Sequence, residues 1–235
     1  MCSLHYRGSD RAPCKSLCYS TRMRGALITV EGIEGSGKST QCARLAAYLR
    51  QRGLEVVETS EPDGTPLGLR VRALFEAEGP TPTPLTQTFL FMAARQEHVT
   101  RVVAPALAHG SVVISDRYAD ATVAYQGYGQ GVDAQTIGEL NLLATGGVVP
   151  DLTLVLDLEP VVGMRRIRGR ALDAFEKMDL AFHQRVRDGY LEIARSDKSR
   201  VVVLPADRDP DALHADVVRA VDERLARRGG GPRGA

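Results

Sequence analysis

Residues 26–40 read Ala-Leu-Ile-Thr-Val-Glu-Gly-Ile-Glu-Gly-Ser-Gly-Lys-Ser-Thr, and the fold follows from them. Gly32, Gly37, Lys38 and Ser39 fit the spacing G-x-x-x-x-G-K-[ST] of a phosphate-binding loop. The glycines let the backbone curl so that successive N–H groups point at anionic oxygens. Lys38 reaches β- and γ-phosphates, and the Ser39 hydroxyl is placed for Mg²⁺. The positive end of the following helix dipole faces the same charge. Both flanks agree with this reading. Residues 26–31 form an apolar, β-branched run suited to a buried strand, and Cys42, Leu45, Ala46 and Leu49 then recur at helical spacing until Arg52-Gly53. The nucleotide-binding loop is therefore Gly32, Ile33, Glu34, Gly35, Ser36, Gly37, Lys38, Ser39 and Thr40.

Outward from this unit, short apolar runs alternate with longer helical patterns. The strands are expected at 26–31, 54–59, 111–115, 152–157 and 200–204. Helices are expected near 39–52, 66–78, 85–109, 134–145, 160–170, 177–195 and 210–228. Strands separated by helices imply right-handed crossovers and a parallel sheet covered on both faces. The predicted fold class is α/β, a doubly wound P-loop NTPase fold with five parallel strands, and its ligands belong beyond the carboxyl ends of the strands. The stretch Gly79-Pro-Thr-Pro-Thr-Pro84 reads as a stiff loop, not a domain boundary.

The chain has 235 residues, enough for one domain with a full core and no disulfides. Its 30 basic and 29 acidic residues leave a net charge of +1, which argues against broad nucleic-acid or membrane binding. No apolar run reaches the 18 or so residues of a membrane span. Cys42 reads as a small core residue, and Cys14-x-x-x-Cys18 lacks companion ligands for zinc. A reducing cytoplasm is the expected location. Residues 1–22 carry no periodic apolar pattern and are expected to be a disordered extension. Their Arg7, Arg11, Lys15 and Arg22 with a single acid, Asp10, leave an organelle transit peptide as the alternative. The folded domain is expected over 23–228, followed by a disordered tail, Gly229–Ala235.

A phosphate-binding loop is shared by many activities, so other residues must discriminate. Strand 111–115 runs into Asp116-Arg117-Tyr118, which sets an acid for Mg²⁺ or its waters and an arginine for phosphate at one sheet edge. On helix 85–109, Leu85, Phe89, Met92, Val99, Val103 and Leu107 form a stripe expected to be core. Phe91 and Arg95 lie one turn apart on another face, where a ring and a guanidinium can stack on a base and hold a phosphate. The Asn-Lys-x-Asp and Asp-x-x-Gly motifs usual in guanine-specific GTPases do not occur.

From about Met23 to the last helix the chain resembles thymidylate kinases. The resemblance rests on Glu-Gly-Ile-Glu-Gly-Ser-Gly-Lys-Ser-Thr (31–40), Glu-Pro-Asp-Gly-Thr (61–65), Phe-Met-Ala-Ala-Arg (91–95), Asp-Arg-Tyr (116–118) and Ala-Tyr-Gln-Gly (124–127). Pro-Asp-Leu-Thr-Leu (150–154) and Phe-x-x-Arg-Val-Arg-x-x-Tyr-Leu (182–191) add to it. It implies transfer of the γ-phosphoryl of ATP to dTMP with Mg²⁺, by a homodimer. It also implies that Glu34 accepts a hydrogen bond from the 3′-hydroxyl and that Phe91 stacks on thymine. Arg95 and Arg117 would hold the monophosphate, Thr122 and Gln126 would bond the base edge, and Tyr125 would exclude a ribose hydroxyl. Ser39 and Asp116 would serve the metal.

Two departures stand out. Family members often read Arg-Glu-Pro-Gly-Gly-Thr where this chain has Ser60-Glu-Pro-Asp-Gly-Thr65, so an arginine is missing and Asp63 adds negative charge. The lid at about 165–176 has Ala174 where relatives often carry a catalytic arginine, and the phosphate-binding loop has no arginine either. Arg168 or Arg170, the latter freed by Gly169, is expected to take over. The open alternatives are a P-loop kinase for another nucleotide or deoxynucleoside, and a catalytically silent nucleotide-binding relative.

Overall fold

The computed structural model describes residues 25–76, 79–169 and 171–229. The expected extension 1–22 and all of the tail beyond Gly229 lie outside them, as does Arg170. The elements in chain order are β1 (Ala26–Glu31), α1 (Lys38–Gln51), β2 (Val56–Ser60), α2 (Pro66–Glu76) and α3 (Pro84–His98). A wider π turn, Val99–Val103, leads to α4 (Ala104–His109), followed by β3 (Val112–Asp116) and α5 (Ala119–Thr122). A second π segment, Val123–Gly129, precedes α6 (Ala134–Thr145), β4 (Leu152–Asp157), α7 (Pro160–Arg166), α8 (Leu180–Ser196), β5 (Val201–Pro205) and α9 (Pro210–Gly229).

All strand pairs are parallel, and the five strands lie in the order β2-β3-β1-β4-β5. Ile28 pairs with Ile114 on one side and Leu152 on the other, so β1 is central and wholly buried. Alternate side chains feed two layers, as the pleat dictates. Ile28 and Val30 join Leu45 and Leu49 of α1, Phe182 and Val186 of α8, and Val217 and Val221 of α9. Leu27 and Val113 face Val99, Val103 and Leu107 on the opposite side. Each fully buried Leu or Ile contributes about 1.5–3 kcal/mol of burial free energy.

The expected helix 85–109 is continuous, but its phase changes midway. The Ala104 N–H bonds Val99 O, five residues back, and Pro105 has no N–H for an ordinary helical bond. One extra residue in a turn rotates the apolar stripe by about 100°. Val99, Val103 and Leu107 are core as expected, whereas Leu85 and Phe89 are exposed, at 45% and 53%. Met92 is buried as expected, and with it the first half of the helix buries Ala94 and Arg95 against α2 and α6. Helix 177–195 begins later than expected, at Leu180, because the Asp179 carboxylate caps it by accepting from Phe182 N at 2.7 Å. The helix expected over 160–170 ends at Arg166, and residues 167–169 turn.

Candidate active site

The loop from Gly32 to Gly37 leaves the carboxyl end of β1 and enters α1, whose cap residue Gly37 has φ 94°. No side chain caps this helix, and no acid occupies its first turn, so its N-terminal amides are available to an anion. Ile33 is core, and its carbonyl accepts from Lys38 Nζ at 2.8 Å. Burial, reinforced by nearby Arg117, lowers the Lys38 ammonium to about 8, so it sits in a place that asks for an anionic partner. Ser39 Oγ donates to Asp116 Oδ2 at 2.6 Å, which joins the loop to the end of β3. Gly35 packs back to back with Gly163 of α7: a Cβ on Gly163 would stand 2.4 Å from Glu34 O.

Arg117 follows β3 in a left-handed conformation, φ 73°, which costs a non-glycine residue about 1–2 kcal/mol. That turn lays its guanidinium over the Tyr125 ring, 4.8 Å from the centroid, and gives an ion pair with Glu34 at 2.9 Å. The Tyr125 hydroxyl donates to the same Glu34 oxygen. Burial alone would raise the Glu34 carboxyl. The neighbouring His183, Arg117, Lys38 and Tyr125 outweigh it and hold the group well below the usual carboxylate range.

These groups line one cavity of about 800 Å³ running from the loop to an aromatic half. There Phe91 stacks on Phe75, with centroids 5.0 Å apart and planes 10° apart. Phe175 from the lid closes on both, and meets Tyr125 edge-on at 5.9 Å. Three of the five phenylalanines therefore gather on one wall of a chain with no tryptophan. Arg95 also lines the cavity but is 3% exposed and already engaged. It donates to Glu61 Oε2 (2.8 Å), Thr122 Oγ1 (3.0 Å), Asn141 Oδ1 (2.8 Å) and Tyr118 O (3.0 Å). Gln126 is buried beside Gln87, donating to its Oε1 at 3.3 Å.

Of the residues singled out in the sequence, Glu34, Gly35, Gly37, Lys38, Ser39, Thr40, Phe91, Arg95, Asp116, Arg117, Thr122, Tyr125 and Gln126 all reach this cavity. Gly32, Ile33 and Ser36 form the loop's inner side and do not line it. Arg168 is exposed on the turn after α7 and does not line it either. Among the described residues the lid arginine that does so is Arg166, which donates to Gly35 O at 3.2 Å and to Ala206 O at 3.2 Å. Arg72 was also unforeseen. It pairs with Asp63 at 2.5 Å and approaches Asp173 of the lid at 3.8 Å, so the extra negative charge of Asp63 is neutralised on the spot. A basic residue on the apolar-facing side of α2 was the available signal for it.

A profile of the thymidylate kinase family matches residues 30–217. Thymidylate kinase of Deinococcus radiodurans is 45% identical over 202 residues, covering 86% of this chain and 98% of that protein. Its counterpart in Nitratidesulfovibrio vulgaris (strain DP4) is 47% identical over 207 residues, covering 84% and 92% respectively. The crystal structure of thymidylate kinase from Ehrlichia chaffeensis superposes with a TM-score of 0.70 at 36% identity, over 85% of this chain and 99% of that one. With a phosphate-binding loop, an aromatic wall in the same cavity and this similarity along most of its length, the chain belongs to the thymidylate kinase family.

Proposed function

We propose that the chain transfers the γ-phosphoryl group of ATP to dTMP, giving dTDP and ADP. The observation that carries this reading is the single cavity in which an uncapped helix N-terminus and Lys38 meet an aromatic wall across the Glu34–Arg117 pair. Phosphoryl transfer needs little covalent help from protein groups. It needs two nucleotides held in line and their charge neutralised.

The loop amides and Lys38 take the donor phosphates, with Lys38 exchanging its bond to Ile33 O for phosphate oxygen. Phe91 stacks on the acceptor base, while Thr122 and Gln126 shape the base edge. Arg117 and Arg95 supply the charge facing the acceptor phosphate, Arg95 from within its network to Glu61, Thr122, Asn141 and Tyr118 and Arg117 from its pair with Glu34. Glu34, ionised and held by Arg117 and Tyr125, is the acceptor for a sugar hydroxyl. Tyr125 packs where a ribose hydroxyl would go. Arg166 and the neighbouring Arg168 and Arg170 provide the lid's positive charge, and the lid excludes water.

The donor set fits Mg²⁺. Ser39 Oγ and Asp116 Oδ2 are hard oxygens meeting at the cavity wall, and Mg²⁺ commonly takes one or two such ligands with phosphates and waters. When bound, the ion would be held by Ser39 and Asp116 and would offset phosphate charge.

We place the enzyme in the cytoplasm as a homodimer. Among the described residues no helix is long and apolar enough to cross a membrane. The neighbouring helices α3 and α6 expose Phe89 (53%), Leu142 (65%) and Leu143 (76%), a face suited to a second copy. Light scattering on the purified chain tests the dimer. The activity is tested by coupled ADP release with dTMP, dUMP, dCMP, dGMP and thymidine. Turnover of another acceptor with none of dTMP overturns the assignment, and nucleotide binding without any turnover points to a silent relative.

A further inference from the structure

The two oxygens of Glu34 are used very differently. Oε1 accepts from Arg117 Nη2 at 2.9 Å and from the Tyr125 hydroxyl, whereas Oε2 is buried without a hydrogen bond. Facing it, 3.4 Å away, is Nδ1 of His183. This imidazole is 1% exposed, and neither of its nitrogens forms a hydrogen bond. It comes from the start of α8, where its ring lies edge-on to Phe182, and Phe182 in turn packs edge-on to Tyr125.

Two unbonded polar groups face each other across a wall of the cavity. Unsatisfied buried polar groups are destabilising, and an apolar side chain at 183 would remove the imidazole's share of that cost. Departures from full polar satisfaction are expected where function needs them. The geometry also shows what is missing. With both Arg117 and Tyr125 on Oε1, the carboxylate is free to pivot about that atom, and its other oxygen has no anchor. Around Glu34 the cations Lys38 and Arg117 and the Tyr125 hydroxyl favour its ionised form, and the lid carboxylate Asp173 is a like charge within its field, so an ionised carboxylate is the form to be positioned.

We propose that His183 is a positioning residue for Glu34: it donates Nδ1–H to Oε2 and fixes the plane of the carboxylate that meets the acceptor nucleotide. This rests on the reading of the cavity as a nucleotide kinase site, and the experiment separates the two.

His183→Leu and His183→Asn are compared alone and combined with Glu34→Gln, with melting temperature, kcat, and KM for dTMP and for ATP as readouts. Asn offers an amide N–H near the position of Nδ1, while Leu offers none. The expected result is an unchanged or higher melting temperature for His183→Leu, a dTMP KM raised about tenfold, an ATP KM within twofold, and substantial rescue by Asn. In the Glu34→Gln background His183→Leu should add less than twofold. An unchanged dTMP KM overturns the proposal. So does a penalty that falls equally on both substrates, is not rescued by Asn, or persists in full in Glu34→Gln. If dTMP is not the acceptor, the same cycle is run with the nucleotide that turns over, and only the assignment of the substrate falls. The ¹⁵N spectrum of the imidazole reads the contact without turnover: a protonated Nδ1 that changes in Glu34→Gln supports it, and an identical spectrum refutes it.

Discussion

Replacing Gly163 by Ala should damage catalysis far more than stability. The new Cβ would lie 2.4 Å from Glu34 O, about 1 Å inside the 3.4 Å at which ordinary contact begins. The obstacle is backbone, so no side chain can swing aside: either the phosphate-binding loop or α7 must move by about that 1 Å. Either motion separates Gly35 and Lys38 from Arg166, which α7 carries three residues after Gly163. Misplacement of reacting groups by about 1 Å can cost 10²-fold in rate, so kcat should fall at least tenfold at saturating ATP and dTMP. Stability is pulled both ways. Overpacking costs about 1–3 kcal/mol, and Gly→Ala within a helix returns about 1 kcal/mol. The net loss of about 2 kcal/mol or less corresponds to at most about 8 °C in Tm for a chain this size. Coupled ADP release and a thermal melt on the same preparation decide it. A kcat within twofold of the parent enzyme would show that the loop–α7 contact does not position the reacting groups.

Lys38→Ala removes a charge needed most in the transition state and should lower kcat by about 10² or more, and a change under threefold in a folded protein contradicts its role. Among the lid variants Arg166→Ala, Arg168→Ala and Arg170→Ala, the structure places Arg166 at the cavity, so its kcat loss should be the largest, tenfold or more. A larger loss in either of the other two returns the role to the residues that follow α7. Tyr125→Ala should narrow the preference for dTMP over ribo-TMP in kcat/KM, and an unchanged ratio makes Tyr125 a packing residue only. Glu31 is raised to about 8 by burial and by Asp120, so the folded state keeps a proton that the unfolded state releases near 4.5. Its contribution is complete below pH 4.5 and is lost as pH rises through about 8. Denaturant midpoints of Glu31→Gln should therefore vary less between pH 6 and 9 than those of the parent, and parallel curves would show that Glu31 does not titrate in that window.

What was legible from the sequence was what neighbouring residues decide among themselves. Strand β1, the glycine loop and α1 form a local grammar, and the fold keeps that strand as read and starts α1 one residue earlier. β4 and α6 likewise match their expected limits, and in the fold Asp133 caps α6 by accepting from Thr136 N while Gly146 ends it in a left-handed turn. Helix 85–109 failed differently: its existence was plain, but the π turn at 99–103 changed its phase and sent Leu85 and Phe89 outward. A single periodic template cannot anticipate an extra residue in one turn.

The site divides along the same line. Lys38, Ser39, Asp116 and Arg117 were found because each lies in a short motif whose chemistry is self-contained. His183, Arg72, Arg166 and Phe175 were missed because their partners lie 149, 9, 131 and 84 residues away by number, respectively Glu34, Asp63, Gly35 and Phe91. Asp63 shows how this distance matters. In the sequence it is a stray negative charge beside the acceptor phosphate. In the fold, Arg72 neutralises it and also reaches toward Asp173 of the lid. The charge missing at Ser60 and added at Asp63 thus becomes a contact between the loop after β2, α2 and the lid, and the local charge argument gives way to the three-dimensional one.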